Sequence, residues 1–282
     1  MDPLTLPTAV IIGAPKCGTS SLYFWLSAHP EVYASKVKET FFFADDVNRF
    51  NRSANAIEHT LEEYSAYFAG ANGQSVVLEA TAAYIYSQRA VQSIPSLASQ
   101  PKCVVLLREP AARLYSQYRF ERYRTKRVSC SFSEYIKDPK IIAHGAYAEY
   151  LSHWKAALGE DRLHVILFED WIQDTRSSMD ALCRFLGIDP SFYADYSFVQ
   201  HNETVAIKSK GMHRWGLALQ RYIPHAVQEA LLPLYLFLNA GKMPAKDPED
   251  QVQVNRLRRM YSEKQKDLEA LFPSIPWHLW EK

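Results

Sequence analysis

The chain has 282 residues, 32 Lys and Arg against 31 Asp and Glu, and a formal net charge of +1. That balance excludes a general nucleic-acid binder, which needs a strongly basic surface. With 48% hydrophobic and 22% charged residues the chain can build a sizeable core and is not a disordered segment.

The opening MDPLTLPT has neither the basic region nor the apolar core of a signal peptide. The longest apolar run, Leu231–Leu238, is too short to span a bilayer. A cytoplasmic protein with no membrane span is expected. Cys17, Cys103, Cys130 and Cys183 form no CxxC pair, so no zinc or redox motif and no metal is expected.

Ala9–Ile12 reads as a buried strand, Gly13-Ala14-Pro15-Lys16-Cys17-Gly18 as a tight turn, and Thr19–Ala28 as a helix ended by His29-Pro30. Val32-Tyr33 suggests a short strand, and Lys36–Asp46 is irregular. Helix over Ile57–Phe68, strand over Val76–Glu79 and helix over Val91–Leu97 follow. Cys103–Leu107 is the most strand-like run, and Pro110 opens a helix reaching about Arg124. Next come helix Gly145–Leu158, strand Leu163–Phe168 and helix Thr175–Leu186, with Gly187 as its stop. Tyr193–Gly211 is polar and loop-like, Met212–Leu238 is helical but broken by Pro224 and Pro233, Asp250–Leu271 is a charged helix, and Pro273–Trp280 is an aromatic tail. The alternation predicts an α/β fold: P-loop-like, three-layered, with a central parallel sheet flanked by helices and a helical C-terminal section. There is no repeat or low-complexity linker, so residues 1–282 read as one domain.

A strand, a Gly-bounded loop with one Lys and a hydroxyl-rich helix start make an anion cradle, because N–H groups and the helix dipole face outward there. Gly13 and Gly18 have the spacing of G-x-x-x-x-G-K-[ST], but Thr19 stands where that motif has Lys. The only Lys is Lys16, inside the loop. The cradle therefore suits one phosphate rather than a triphosphate with Mg²⁺. Cys17 at a helix start is either a thiol of lowered pKa or a small residue that fits the turn, the second being favoured.

Pro15-Lys16-Cys17-Gly18-Thr19-Ser20-Ser21-Leu22 resembles the 5′-phosphosulfate loop of sulfotransferases that use 3′-phosphoadenosine 5′-phosphosulfate (PAPS). Cys103–Tyr118 resembles their 3′-phosphate motif, with Arg108 at a strand end and Ser116 on the next helix. Glu39-Thr40-Phe41-Phe42-Phe43 is similar to a Glu-x-x-Phe-Phe segment, and Glu79–Tyr84 to a Glu-Lys-[ST]-x-x-Tyr segment. Both belong to the branch containing heparan sulfate N- and 3-O-sulfotransferases and many bacterial sulfotransferases. Gly145–Leu151 with Trp154, and Phe168-Glu169-Asp170, extend the resemblance from about Val10 to Leu186. His201-Asn202 and Lys208-Ser209-Lys210-Gly211 resemble a late loop that closes over the nucleotide.

The resemblance implies a PAPS donor, adenosine 3′,5′-bisphosphate as product, and sulfuryl transfer by in-line displacement without metal. Lys16, Cys17, Gly18, Thr19, Ser20 and Ser21 would hold the 5′-phosphate, Lys16 also neutralising the leaving oxygen. Arg108 and Ser116 would hold the 3′-phosphate, with Lys210 and Gly211 from the late loop. Glu39 is the implied base; its alternative use is an ion pair with Lys36 or Lys38. The heparan-type enzymes have Lys where this chain has Ala80, and Lys38 is the available substitute. His144 is the second base candidate, since cytosolic sulfotransferases use His; His29 and His164 read as structural. Arg113, Arg119, Arg122, Arg124, Lys126 and Arg127 form either a solvated face or a lure for an anionic acceptor.

A PAPS-binding core is thus expected over about 8–190, and a variable acceptor or lid section over about 191–282, in which Trp215–Leu238 is either a lid on the acceptor site or core packing. The acceptor is expected to be a hydroxyl of a small metabolite or saccharide, an amine being less favoured. The rival readings are a small-molecule or nucleoside kinase, which Thr19 opposes, and a non-catalytic nucleotide-binding protein.

Overall fold

The computed structural model describes residues 4–48, 50–199, 206–207, 209, 211 and 239–281. Five apolar segments form its central sheet: β1 (Ala9–Gly13), β2 (Val32–Ala34), β3 (Val76–Ala80), β4 (Lys102–Leu107) and β5 (Leu163–Leu167). Every residue of β1 and β3 is buried, as expected when helices cover both faces of a parallel sheet. The order is β2-β3-β1-β4-β5, all pairs parallel. From β1 the chain goes to the edge strand β2, returns to β3 between them, then crosses to β4 on the other side of β1. The carboxyl ends of β1 and β4 therefore flank a topological switch point, where open α/β sheets place ligands. Val10 pairs with Glu79 on one side and Cys103 on the other, which brings the segments after β1, β3 and β4 to one end of the sheet.

Helix α1 (Thr19–Ser27) follows the first loop, with Leu22, Trp25 and Leu26 buried. The helix expected over Ile57–Phe68 begins only at Leu61, as α2 (Leu61–Ser65). Asn55 Oδ1 takes the N–H groups of Ile57 and Glu58, and Thr60 with Glu63 then forms a capping box. The next helix, α3 (Gln88–Ser93), starts three residues early because Ser87 accepts from Ala90 N–H. Helix α4 (Pro110–Arg119) passes into a π-helical turn, Phe120–Arg124. Short helices at Phe132–Tyr135, Pro139–Ala143 and Phe168–Gln173 were not legible in the sequence. Thr175–Leu186 ends as expected on Gly187 at φ 83°.

The C-terminal helix, Pro248–Leu271, packs Val254, Leu257 and Tyr261 against Leu114, Tyr118 and Phe132, in a small core separate from the main one. Tyr115 donates to Asp250 Oδ2 at 3.1 Å and Tyr261 to the Ile142 carbonyl at 2.7 Å, which fixes its path over α4. The short strands Ala206–Ile207 and Ala240–Gly241 pair antiparallel, and the first packs on the π-helical turn. Among the described residues no helix is long and apolar enough to cross a membrane. His201, Asn202, Lys208, Lys210 and all of Trp215–Leu238 lie outside the described residues.

Candidate active site

The loop after β1 is built to bring backbone close to a ligand. Gly18 caps α1 at φ 93°, and a Cβ there would stand 2.4 Å from the Trp171 ring. Glycine is required both by the left-handed backbone and by the indole behind it. The first turn of α1 carries no acidic residue, and the first N–H groups of a helix lie beyond its own carbonyl acceptors. Cys17 N–H goes to the Ala14 carbonyl at 3.3 Å, closing the turn of the loop. Its thiol is fully buried, donates to the Pro15 carbonyl at 3.7 Å, and is pushed up to about 12 by burial. It is the small residue that fits the turn.

Lys16 is held at φ 70°, with its Nζ 4.0 Å from the Phe120 ring centroid, above the π-helical turn. Burial, and then the charge of Arg108, lower the Lys16 ammonium to about 8. The two cations therefore feel one another, and among the described residues neither is in an ion pair with a carboxylate. The Arg108 guanidinium lies 4.8 Å from the Phe168 ring centroid. Arg108 and Ser116 line one cavity of about 260 Å³, as their placement on a strand end and the following helix requires.

Three further cations line that cavity: Arg119, Lys246 and Arg258. Lys246 and Arg258 gave no local signal, because the partner that fixes Arg258 is Glu109, 149 residues away. Glu109 accepts from Ala111 and Ala112 N–H at the start of α4, and its Oε2 also takes Arg258 Nε at 3.2 Å. Arg119 donates to the carbonyls of Pro244 and Ala245 and so pins the segment leading into the C-terminal helix. Arg122 donates to the carbonyls of Ser129 and Cys130, and Arg113 is only 2% exposed, beside the Tyr86, Tyr147 and Tyr261 phenols. The basic stretch is thus not one solvated face.

Glu39 lies at the end of β3. Its N–H donates to the Ala80 carbonyl at 2.8 Å, and its Oε2 accepts from Ala82 N–H at 3.1 Å. Lys38 Nζ donates to Oε1 at 2.6 Å. Each oxygen therefore has one donor, and each keeps lone-pair capacity for a further proton. The ion pair with Lys38 is present, and it sets the Lys38 ammonium on the residue whose N–H donates to the Ala80 carbonyl. Of the five non-glycine residues at positive φ among those described, three belong to this region: Lys16, Glu39 and Phe41. Such backbone costs energy and gathers at functional sites.

The His144 ring stacks on Tyr86 at 4.1 Å and meets Tyr150 edge-on. Burial and the Arg113 charge lower its pKa. His29 is structural, its Nε2 on the Asp189 carbonyl at 2.9 Å and its Nδ1 accepting from Glu31 N–H at 3.1 Å. His164 stacks on Phe185. In the late loop, Ser209 N–H donates to Asn239 Oδ1 at 2.7 Å, and Gly211 is exposed.

A parallel sheet with a phosphate-type loop after its central strand, and a cationic cavity at the end of the neighbouring strand, defines a P-loop-like three-layer α/β protein. The chain belongs to the sulfotransferase family: the Sulfotransferase domain matches residues 6–212. The mouse bifunctional heparan sulfate N-deacetylase/N-sulfotransferase 4 is 25% identical over 203 residues, covering 66% of this chain and 23% of that protein. Mouse carbohydrate sulfotransferase 15 is 23% identical over 248 residues, covering 66% of this chain and 44% of that protein. The chain thus spans less than half the length of these curated relatives. A solved sulfotransferase from Alicyclobacillus acidocaldarius shares the fold, with a TM-score of 0.71 over 99% of this chain and 100% of that one, at 22% identity.

Proposed function

We propose that the chain transfers the sulfuryl group of PAPS to a hydroxyl of a small metabolite or saccharide, releasing adenosine 3′,5′-bisphosphate. The observation that carries this reading is the pair Lys16 and Arg108: two cations, coupled to each other and unpaired with carboxylate among the described residues, at the ends of adjacent strands. One serves the 5′ side with Gly18, Thr19, Ser20 and Ser21. The other serves the 3′-phosphate with Ser116, and Arg258 and Lys246 add to it from the C-terminal section. Lys210 and Gly211 close over the nucleotide in this reading, and Lys38 holds the base.

The acceptor oxygen attacks sulfur, the bond from sulfur to the bridging oxygen breaks, and the acceptor proton passes to Glu39. Lys16 balances the charge that develops on the leaving oxygen. Saccharide acceptors are suggested by the names of the relatives, heparan sulfate and carbohydrate sulfotransferases. Residues 1–282 act as one domain, with donor binding over about 8–190, and four unpaired cysteines suit the reducing cytoplasm.

Glu39→Gln tests the base. It keeps affinity for adenosine 3′,5′-bisphosphate and abolishes turnover of labelled PAPS with a panel of phenol, alcohol and amino-sugar acceptors. Undiminished turnover removes Glu39 from that role.

A further inference from the structure

Beneath Glu39 lies a buried polar network whose terminal acceptor, Glu79, has no part in the reaction described above. Glu79 is fully buried in β3. Its Oε1 accepts from Thr81 at 2.6 Å and from Thr40 at 3.0 Å. Its Oε2 has no hydrogen-bond partner. The Tyr64 phenol, also buried and outside hydrogen-bond geometry with any partner, lies near enough to Glu79 for that carboxyl to add to the rise that burial gives its pKa.

The proton directions follow from these contacts. Thr40 and Thr81 have each given their hydroxyl proton to Glu79, which can only accept there. Tyr84, 3.2 Å from Thr40 Oγ1, must then be the donor of that contact. The hydroxyls are left with lone pairs, and the backbone uses them. Phe41 N–H donates to Thr81 Oγ1 at 3.3 Å, Phe42 N–H to Thr40 Oγ1 at 3.3 Å, and Phe43 N–H to Tyr84 Oη at 3.2 Å. Three consecutive N–H groups thus end on three hydroxyls, two of which end on one carboxyl oxygen.

Thr40 stands between Glu39 at φ 63° and Phe41 at φ 52°. Two successive left-handed excursions in bulky residues persist only when the surroundings over-determine them. Glu39 is held by the Ala80 carbonyl and Ala82 N–H, and the Phe41 carbonyl by Asn51; between them this network holds Thr40, which is 1% exposed.

We propose that Glu79 is a positioning residue for Glu39: by holding Thr40 it fixes the left-handed pair and aims the Glu39 carboxylate at the acceptor. This rests on Glu39 being the base, but its structural half does not. Burial raises the Glu79 carboxyl against the hydrogen bonds from Thr81 and Thr40, with smaller opposing effects from the Glu39 and Lys38 charges. An uncharged group therefore suffices, and Gln serves in its place.

The test compares the full chain with Thr40→Val, Thr40→Ser and Glu79→Gln. Hydrogen exchange reads the Phe41–Phe43 amides without any acceptor. Thr40→Val speeds them by about tenfold, the worth of one lost hydrogen bond, and leaves the 13–20 loop and adenosine 3′,5′-bisphosphate affinity unchanged. Thr40→Ser and Glu79→Gln stay near wild type. In the PAPS assay with the acceptor panel, Thr40→Val lowers kcat by a similar factor with KM for PAPS unchanged, and Thr40→Ser restores it. Wild-type exchange at Phe41–Phe43 in Thr40→Val overturns the proposal. So does a turnover loss in Glu79→Gln as deep as that of Glu39→Gln with exchange unmoved, which makes Glu79 part of the chemistry. An active Glu39→Gln sinks the base reading alone and leaves the exchange result standing.

Discussion

Arg258 Nε donates to Glu109 Oε2 at 3.2 Å, and this ties the C-terminal helix to the residue that follows Arg108. The contact carries an Arg from far along the chain into the cavity that Arg108 and Ser116 line. Arg258→Ala is expected to weaken adenosine 3′,5′-bisphosphate by about 10- to 100-fold, the range for loss of a hydrogen bond to a charged group. Adenosine 5′-phosphate, which lacks the 3′ group, should lose little. Titration calorimetry with both nucleotides decides it, and equal losses would take Arg258 out of the 3′ site. Glu109 keeps its two N–H donors on α4 in the variant, so the fold should survive.

Lys16 gives a pH signature. Burial and Arg108 lower it to about 8, so in the free protein the ammonium loses its proton as pH rises through that value. Bound phosphate favours the charged form and raises the pKa again. Nucleotide binding at about pH 8.5 should therefore take up a fraction of a proton. Calorimetry in two buffers of different ionisation enthalpy reads this uptake directly. It should vanish in Lys16→Met, and its persistence there would assign the proton to another group.

Gly18 cannot carry a side chain. A Cβ 2.4 Å from the Trp171 ring, on a backbone at φ 93°, forces the indole or the loop to move. Gly18→Ala should cost about 2–4 kcal/mol in urea denaturation, in the range of overpacking plus left-handed strain. Nucleotide affinity should fall with it. Wild-type stability would mean that the loop and Trp171 are not in contact.

Glu79 makes a stability prediction of its own. Its carboxyl is raised from 4.5 to about 7, chiefly by burial. Between those values the unfolded chain releases this proton and the folded chain keeps it, so the folded state loses ground as pH rises. Above about 7 the loss is complete, on the order of 3 kcal/mol. Glu79→Gln cannot ionise, so its stability relative to wild type should climb across that window and then level off. Urea denaturation at four pH values measures the gap, and a constant gap would contradict the burial argument.

The five sheet strands of the core, helices α1 and Thr175–Leu186, and the Lys16 and Gly18 positions were legible in the sequence. Continuous apolar runs, a glycine-bounded loop and a glycine stop act within a few residues, so local chemistry specifies them. The resemblance to the 3′-phosphate motif linked Arg108 to Ser116, and the adjacency of a strand end and the helix after it lets both face one place. The tertiary structure alone decided the rest. Asn55 and Ser87 moved two helix starts by capturing backbone donors. Cys17 turned inward and spent its N–H on Ala14. Arg258 reached the cavity on a helix packed on α4 and Lys246 on the segment before it, and the network around Glu79 gathered the Phe41–Phe43 amides from far earlier in the chain. Such contacts depend on which surfaces the packed sheet and helices bring together, a long-range property that no window of sequence contains.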